Sequence, residues 1–371
     1  MMRNKKNSQQ WLLIFAGIIL VIIFILIFGI NAKKEDRVKI GLILTGKATD
    51  EGWNGMHFEG VDSACKKLGV DLLIKENVEE GTGECKEAIN ELVKKDVGMI
   101  ILSSYAYPEE VKETIQAYPD VAFYGISAEY YADNLTSYFG RMYQARYLSG
   151  IVAGMKTASN RIGYVAAMPN SEVNRGINAF TLGVKSVNSD ASVNVIWTNA
   201  WEAEEKEREA VHILIEDVGA DVITYHQNKH YVAQEADEAG VYSIGYNAVA
   251  DGLSQRYLTA AVWNWNELYY QIIREYLQGK SNTVKRHWFG IDTDVVNLAD
   301  YSELVDEEII QQVKLAEKKL SEGNKVFSGV IYDNTGVLRC DKEEAISDEI
   351  LLGKMNWFVN GVIIHEGKEQ Q

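Results

Sequence analysis

The feature that most constrains this chain is an alternation of strand and helix patterns that runs twice. Short apolar stretches rich in β-branched residues at 38–45, 71–78, 98–104, 121–127 and 135–139 are separated by helical patterns at 54–69, 83–96 and 109–118. A long helical stretch at 141–158 follows, so rich in small residues that it must pack closely on something. The rhythm then restarts, with strands at 161–167, 192–198, 221–227 and 241–246 and helices at 171–188, 202–218 and 229–239. Strands joined through helices pair in parallel, because the crossover returns each strand to the same sheet edge. At 371 residues the chain outgrows one core. The expected fold class is therefore α/β, with two Rossmann-like lobes dividing near 158–160.

Beyond 258 the pattern changes. A strand is expected at 258–263, an amphipathic helix at 264–279, another strand within 289–299, a charged helix at 306–322 and a hairpin over 329–340 that turns at Asp333–Gly336. The tail after 354 is again apolar. Segments that look like sheet core, yet follow a completed second lobe, imply a return to the first. The expected division is 38–158 plus about 264–371 for the first lobe and 159–263 for the second. Several crossings between them would make a hinge with a ligand cleft between.

Ahead of the lobes, residues 1–10 are polar and basic, and 11–30 hold no charged residue. That run is long enough to span a bilayer, and the cations before it predict a cytoplasmic stub with everything after it outside. A cleaved signal peptide is the rival reading, but the run is long for one and its only candidate cleavage site, near Ala32, is weak. Residues 31–37 read as a tether, so the expected localisation is the cell membrane, with a single-pass anchor.

A net charge of −16 makes a poor surface for nucleic acid. Cys65, Cys85 and Cys340 have no metal-ligand spacing, and buried free thiols are the commoner state for such residues. No phosphate-binding loop, nucleophile elbow or metal-ligand helix motif occurs. A non-enzymatic binding protein is expected, with no catalytic residue, no cofactor and no metal.

In open α/β sheets, ligands sit beyond the carboxyl ends of the strands. The first strand runs through a short polar loop into a helix whose first turn carries Trp53, with Asp50 before it and Asn54 after it. A flat aromatic face beside a carboxylate and an amide suits a flat, hydrogen-bonding ligand, although Asp50 could equally cap the helix. Tyr105 follows the third strand. In the second lobe Met168, Asn170, Trp201, Gln227, Asn228, Tyr246 and Asn247 follow strands, and Trp263 and Trp265 lie where the chain returns. His57 reads as a packing residue, Arg175 as a helix-surface cation and the run Glu202 to Glu209 as a solvated face.

These stretches in order resemble a known family. The first loop, DEGWNGMHFEG, is similar to a DxGWxxxHxxG pattern, and YFGRMYQARYLSGIVAG at 138–154 is similar to a crossover-and-helix signature. IGYVAAMPNSEVNRGINAF, WTNAWEAEEKEREA, GADVITYHQN, YSIGYN and VWNW follow in the second lobe. The chain resembles the basic membrane protein family of type I periplasmic-binding-like proteins, closest to its purine-base-binding branch. The resemblance implies the type I periplasmic binding protein fold and the solute-binding role of an ABC importer for a purine base or nucleoside. Its partners would be permease subunits. Two departures stand out: no lipid-accepting cysteine precedes the first lobe, and Asn247-Ala248 stand where the family commonly brings an acidic residue to the ligand. The first leaves a membrane-anchored sensor with the same pocket as the alternative; the second bears on whether a ribose is recognised.

Overall fold

The computed structural model describes residues 37–365 apart from 51, 250, 251, 253–255 and 282. The span expected at 11–30 and most of its tether lie outside these residues. Among the described residues no helix is long and apolar enough to cross a membrane.

The first sheet contains β1 (Lys39–Ile43), β2 (Asp71–Lys75), β3 (Met99–Leu102), β4 (Ala122–Ile126), β5 (Leu135–Gly140) and β11 (Arg286–Phe289). Its order is β11-β5-β4-β3-β1-β2, parallel throughout. The second sheet contains β6 (Arg161–Ala166), β7 (Ser192–Trp197), β8 (Val222–His226), β9 (Tyr242–Asn247), β10 (Tyr257–Trp263), β12 (Val296–Leu298) and β15 (Val362–His365). Its order is β12-β10-β9-β8-β6-β7-β15, with β12 antiparallel to its neighbour. Both faces of the inner strands are buried, so they read as continuous apolar runs. The intervening helices are α1 (Trp53–Leu68), α2 (Glu84–Val93), α3 (Tyr107–Glu110), α4 (Lys112–Ala117), α5 (Met142–Lys156), α6 (Ser171–Val187), α7 (Glu204–Glu216) and α8 (Tyr231–Glu238).

The chain crosses between sheets three times: after β5, after β10, and after β11. Between the last two, α9 (Trp265–Leu277) packs on α1 of the first lobe. The crossings meet closely at Gly140, where an added Cβ would strike the Trp263 ring and come within 3.0 Å of Val296.

Two expectations for the later chain are corrected. The long helix α5 belongs with the second lobe, where Gly150 and Gly154 let it approach the α6 backbone at closest contact. Within 289–299 only Val296–Leu298 is a strand, β12 of the second sheet; Phe289 ends β11 of the first sheet and a 3-10 turn at Ile291–Thr293 separates them, and everything after them stays with the second lobe: α10 (Glu307–Ser321) packs on α5, and β15 pairs with β7. Hydrophobic patterning could say that these segments are sheet core without saying whose. A small hairpin, β13 (Ile331–Tyr332) with β14 (Leu338–Cys340), and α11 (Asp348–Gly353) complete a strap across α6. Buried amides on α6 bind its backbone: Asn174 donates to Met355 O at 2.9 Å, and Asn178 to Trp357 O at 2.9 Å while accepting from Val359 N at 2.9 Å. The strap's Asp348 also takes both guanidinium arms of Arg141, just after β5, at 2.9 and 2.6 Å.

All three cysteines are free and buried. Burial pushes the Cys65 thiol up to about 12.

Candidate ligand site between the lobes

The carboxyl ends of both sheets carry aromatic clusters. In the first lobe the indole N–H of Trp53 donates to Ser103 O at 2.8 Å, which fixes its ring against the end of β3. One helical turn on, His57 meets the Trp53 ring edge-on at 4.2 Å and tilts against Trp265 at 4.2 Å. Trp265 in turn stacks on Trp263, the last residue of β10, at 4.7 Å and 19°. This row of rings therefore reaches from the first lobe to the last residue of a strand in the second sheet.

Asp50 and Asn54 sit beside the row, but their polar groups face their own loop. The Asp50 carboxylate accepts from Gly52 N, Gly55 N and the Asn54 amide at 2.9, 2.9 and 2.8 Å, and Asn54 accepts from the Thr45 hydroxyl at 3.0 Å. Asp50 thus holds the entry to α1, the capping alternative, and keeps its carboxyl below the ordinary range: burial opposes ionisation, but the hydrogen bonds from Gly55, Asn54 and Gly52 outweigh it, with help from the charge on Lys229. Lys229 belongs to the second lobe, so the two lobes face each other across this loop. Tyr105 is exposed, and its hydroxyl donates to Glu129 at 2.5 Å; partial burial and that carboxylate push it up to about 12.

In the second lobe His226 at the end of β8 lies 4.0 Å from the Tyr246 ring and 6.0 Å from Trp201. Trp201 is 40% exposed, so it presents a free aromatic surface. Gln227 is buried and spends its amide internally, bridging the Thr198 hydroxyl at 2.7 Å and the carbonyls of Trp201 and Ala200 at 3.0 and 2.9 Å. The exposed side chain of Asn228 follows, its backbone N–H tied to Trp201 O at 2.9 Å. Asn170 caps α6 through Val173 N at 3.0 Å, with Met168 half-buried before it. Asn247 is buried with a left-handed backbone, φ 75°. The expected residues thus fall into two groups on facing strand ends. Trp53, Trp263 and Trp265 join directly, as do Trp201, Gln227 and Asn228; Tyr246 joins the second group through His226.

Three residues of the site region carry roles that the sequence reading did not give them. His57 is fully buried, and that burial holds its imidazole down to about 3, so the ring is neutral. His226 is likewise buried and held neutral by burial and by the nearby charges of Arg146 and Arg175. Arg146 has no exposed surface; its guanidinium lies over the rings of Tyr164 and Tyr246 at 4.8 and 5.6 Å and donates to the Thr224 hydroxyl at 3.2 Å. Spacing offered one clue, since His57 lies four residues after Trp53 on a helix and so shares its face.

Two charged side chains read as solvated are corrected. Arg175 is buried, donating to Leu351 O of the strap at 2.5 Å with its guanidinium over Trp288 at 5.1 Å. Within the acidic run Glu207 is buried; it accepts from Ala203 N at 2.9 Å, and burial pushes its carboxyl up to about 7.

Two parallel-sheet lobes, joined by three crossings and facing each other with aromatic strand ends, define the class of periplasmic-binding-protein-like folds. The chain belongs to the family of PnrA-like ABC transporter substrate-binding proteins, whose model matches residues 37–328. It is 31% identical over 340 residues to a purine-binding protein of Brucella abortus, covering 90% of this chain and 95% of that one. It is also 31% identical over 336 residues to a putative ABC transporter glucose-binding protein of Haloferax volcanii, covering 90% and 82%. Among solved structures, a transcriptional activator of the comK gene from Bacillus halodurans shares the fold with a TM-score of 0.70 at 24% identity, covering 77% of this chain and 99% of that one. An ABC transporter solute-binding protein from Conexibacter woesei does so with a TM-score of 0.64 at 20% identity, covering 77% and 97%. Membership implies a small-molecule ligand, permease partners and a place outside the cytoplasm or at the membrane, and the family's role is binding rather than catalysis.

Proposed function

We propose that this protein captures a purine base or nucleoside between its lobes and delivers it to an ABC permease, the lobes hinging shut at the crossings around Gly140. The observation that carries this is the Trp53 ring, fixed by its indole hydrogen bond at the carboxyl edge of the first sheet, with a half-exposed Trp201 on the second lobe. Two aromatic faces on opposing lobes suit a flat heteroaromatic solute, each stacked pair contributing about 1 kcal/mol beyond the area it buries. Similarity leaves two ligands in view, since the Brucella relative is named for purines and the Haloferax relative for glucose at the same identity. The aromatic surfaces favour the purine. Asp50, Asn54, Tyr105, Met168, Asn170, Gln227, Asn228, Tyr246, Asn247, Trp263 and Trp265 are proposed to shape or line the same cleft, with the internally bonded Asp50, Asn54 and Gln227 supporting its walls. The charge-free run at 11–30 is proposed to anchor the protein in the membrane.

Thermal unfolding against adenine, guanine, hypoxanthine, their nucleosides, glucose and amino acids tests this reading. A ligand present at a hundred times its dissociation constant stabilises the folded state by about 2.7 kcal/mol. A shift with purines that Trp53→Ala abolishes is the expected result. A response to glucose with none to any purine would overturn the assignment and leave the fold standing.

A further inference from the structure

We infer that the strap across α6 is a clasp on the angle between the lobes, fastened by the fork between Arg141 and Asp348. It acts whichever solute lies in the cleft, and so goes beyond the binding role above. The family match ends at residue 328, and the strap follows it.

Arg141 stands just after β5 and is gripped from both bodies. On the first-lobe side its backbone N–H donates to Phe289 O at 2.6 Å and its Nε to Trp288 O at 3.0 Å, while its guanidinium lies over the Trp288 ring at 4.2 Å. Trp288 and Phe289 belong to β11 of the first sheet. On the second-lobe side Nη1 donates to the Tyr143 hydroxyl of α5 at 2.9 Å, and the two arms take both oxygens of Asp348 on the strap. Asn174, Asn178 and Arg175 fasten the strap to α6, and the Arg175 guanidinium reaches the same Trp288 ring at 5.1 Å. One guanidinium thus ties a strand of the first sheet to an element that moves with α6.

The crossings beside Arg141 are the hinge. Swinging the lobes about Gly140 carries Trp288 with one body and Asp348 with the other. A bidentate fork fixed at both ends loses its alignment within a small displacement, so it is made at one lobe angle. At that angle the lips of the cleft are close: a Cβ on Gly52 of the first lobe would lie 3.9 Å from Lys229 Nζ of the second. The fork and the approach of the lips belong to one arrangement, so the clasp favours the closed form over the open one.

Pulsed electron spin resonance on the full chain in detergent, with no solute added, tests this. Spin labels go on Glu87→Cys of α2 and Glu205→Cys of α7, exposed positions on either lobe, and the native thiols are buried. Asp348→Asn should lower the ratio of closed to open molecules by up to about fivefold, the range of a partly exposed ion pair. Asp348→Glu keeps the carboxylate and should stay within about twofold of the wild type. Denaturant unfolding reads folding separately, since a merely structural strap would lower the unfolding midpoint and leave the distances alone. An Asp348→Asn distance distribution that overlays the wild type, a shift toward shorter distances, or an equal shift in Asp348→Glu would each overturn the inference.

Discussion

The contact between α5 and α6 gives a sharp stability prediction. A Cβ placed on Gly183 would fall on Tyr147 O, 3.0 Å from the carbonyl carbon and 3.2 Å from the Gly150 Cα, all of it backbone. No rotamer change can relieve such a clash, so Gly183→Ala must push two helices apart through a closely packed interior. Overpacking of this kind costs about 3 kcal/mol, while alanine in a helix interior returns about 1 kcal/mol of propensity. The net loss is on the order of 2 kcal/mol, and in a chain of this size each kcal/mol moves the midpoint by roughly 2 °C. Thermal unfolding should therefore show Gly183→Ala lower by about 4 °C. Gly353→Ala is the control: that glycine also lies in a helix, its added Cβ meets nothing within 4 Å, and no loss is expected. A Gly183→Ala protein as stable as Gly353→Ala would refute the reasoning.

Three further outcomes follow from charge and capture. Arg141 hydrogen-bonds Asp348 and so holds its carboxyl below the ordinary aspartate range; its stabilisation is present above that range and lost as pH falls through the depressed value. Because Asp348 is 53% exposed, Asp348→Asn should cost no more than about 1 kcal/mol at neutral pH and nothing in acid, read by denaturant titration across pH. Glu207 runs the other way: buried and raised to about 7, it binds its proton more tightly when folded, so stability should fall as pH rises from the ordinary glutamate range through 7. Glu207→Gln should flatten that slope, which amounts to at most about 3 kcal/mol; an unchanged slope would reject the burial argument. Trp201→Ala should weaken purine binding about tenfold in calorimetry without moving the midpoint of the unliganded protein, since its ring is largely outside the core.

Much of the architecture was legible because parallel strands buried on both faces announce themselves as apolar runs, and because loops after such strands gather at one edge. The bearings of individual side chains were less legible. Glu207 and Arg175 carry charges that ordinarily mean solvent, yet Glu207 bonds a backbone N–H at its own helix start, and Arg175 takes a carbonyl supplied 176 residues later. His57 read as a packing residue, and its buried ring does pack against Trp53 and Trp265; what local pattern could not show is its hydrogen-bond partner Tyr269 on α9, 212 residues away. The stretch 289–299 read as one strand because its apolar residues run on; the chain in fact leaves β11 at Phe289, turns through Ile291–Thr293 and the left-handed Asp294, and enters the other sheet only at Val296. Asp50 was left between two roles, and the three bonds it accepts explain why its sequence position suited both.

The pairing of β15 with β7 has a practical consequence. β1 opens the described chain in the first sheet and β15 closes it in the second, so the two ends ride on opposite bodies. Dyes near Val38 and His365 would form an intramolecular ruler whose length follows the angle between the lobes, turning each solute encounter into an optical signal without touching the cleft.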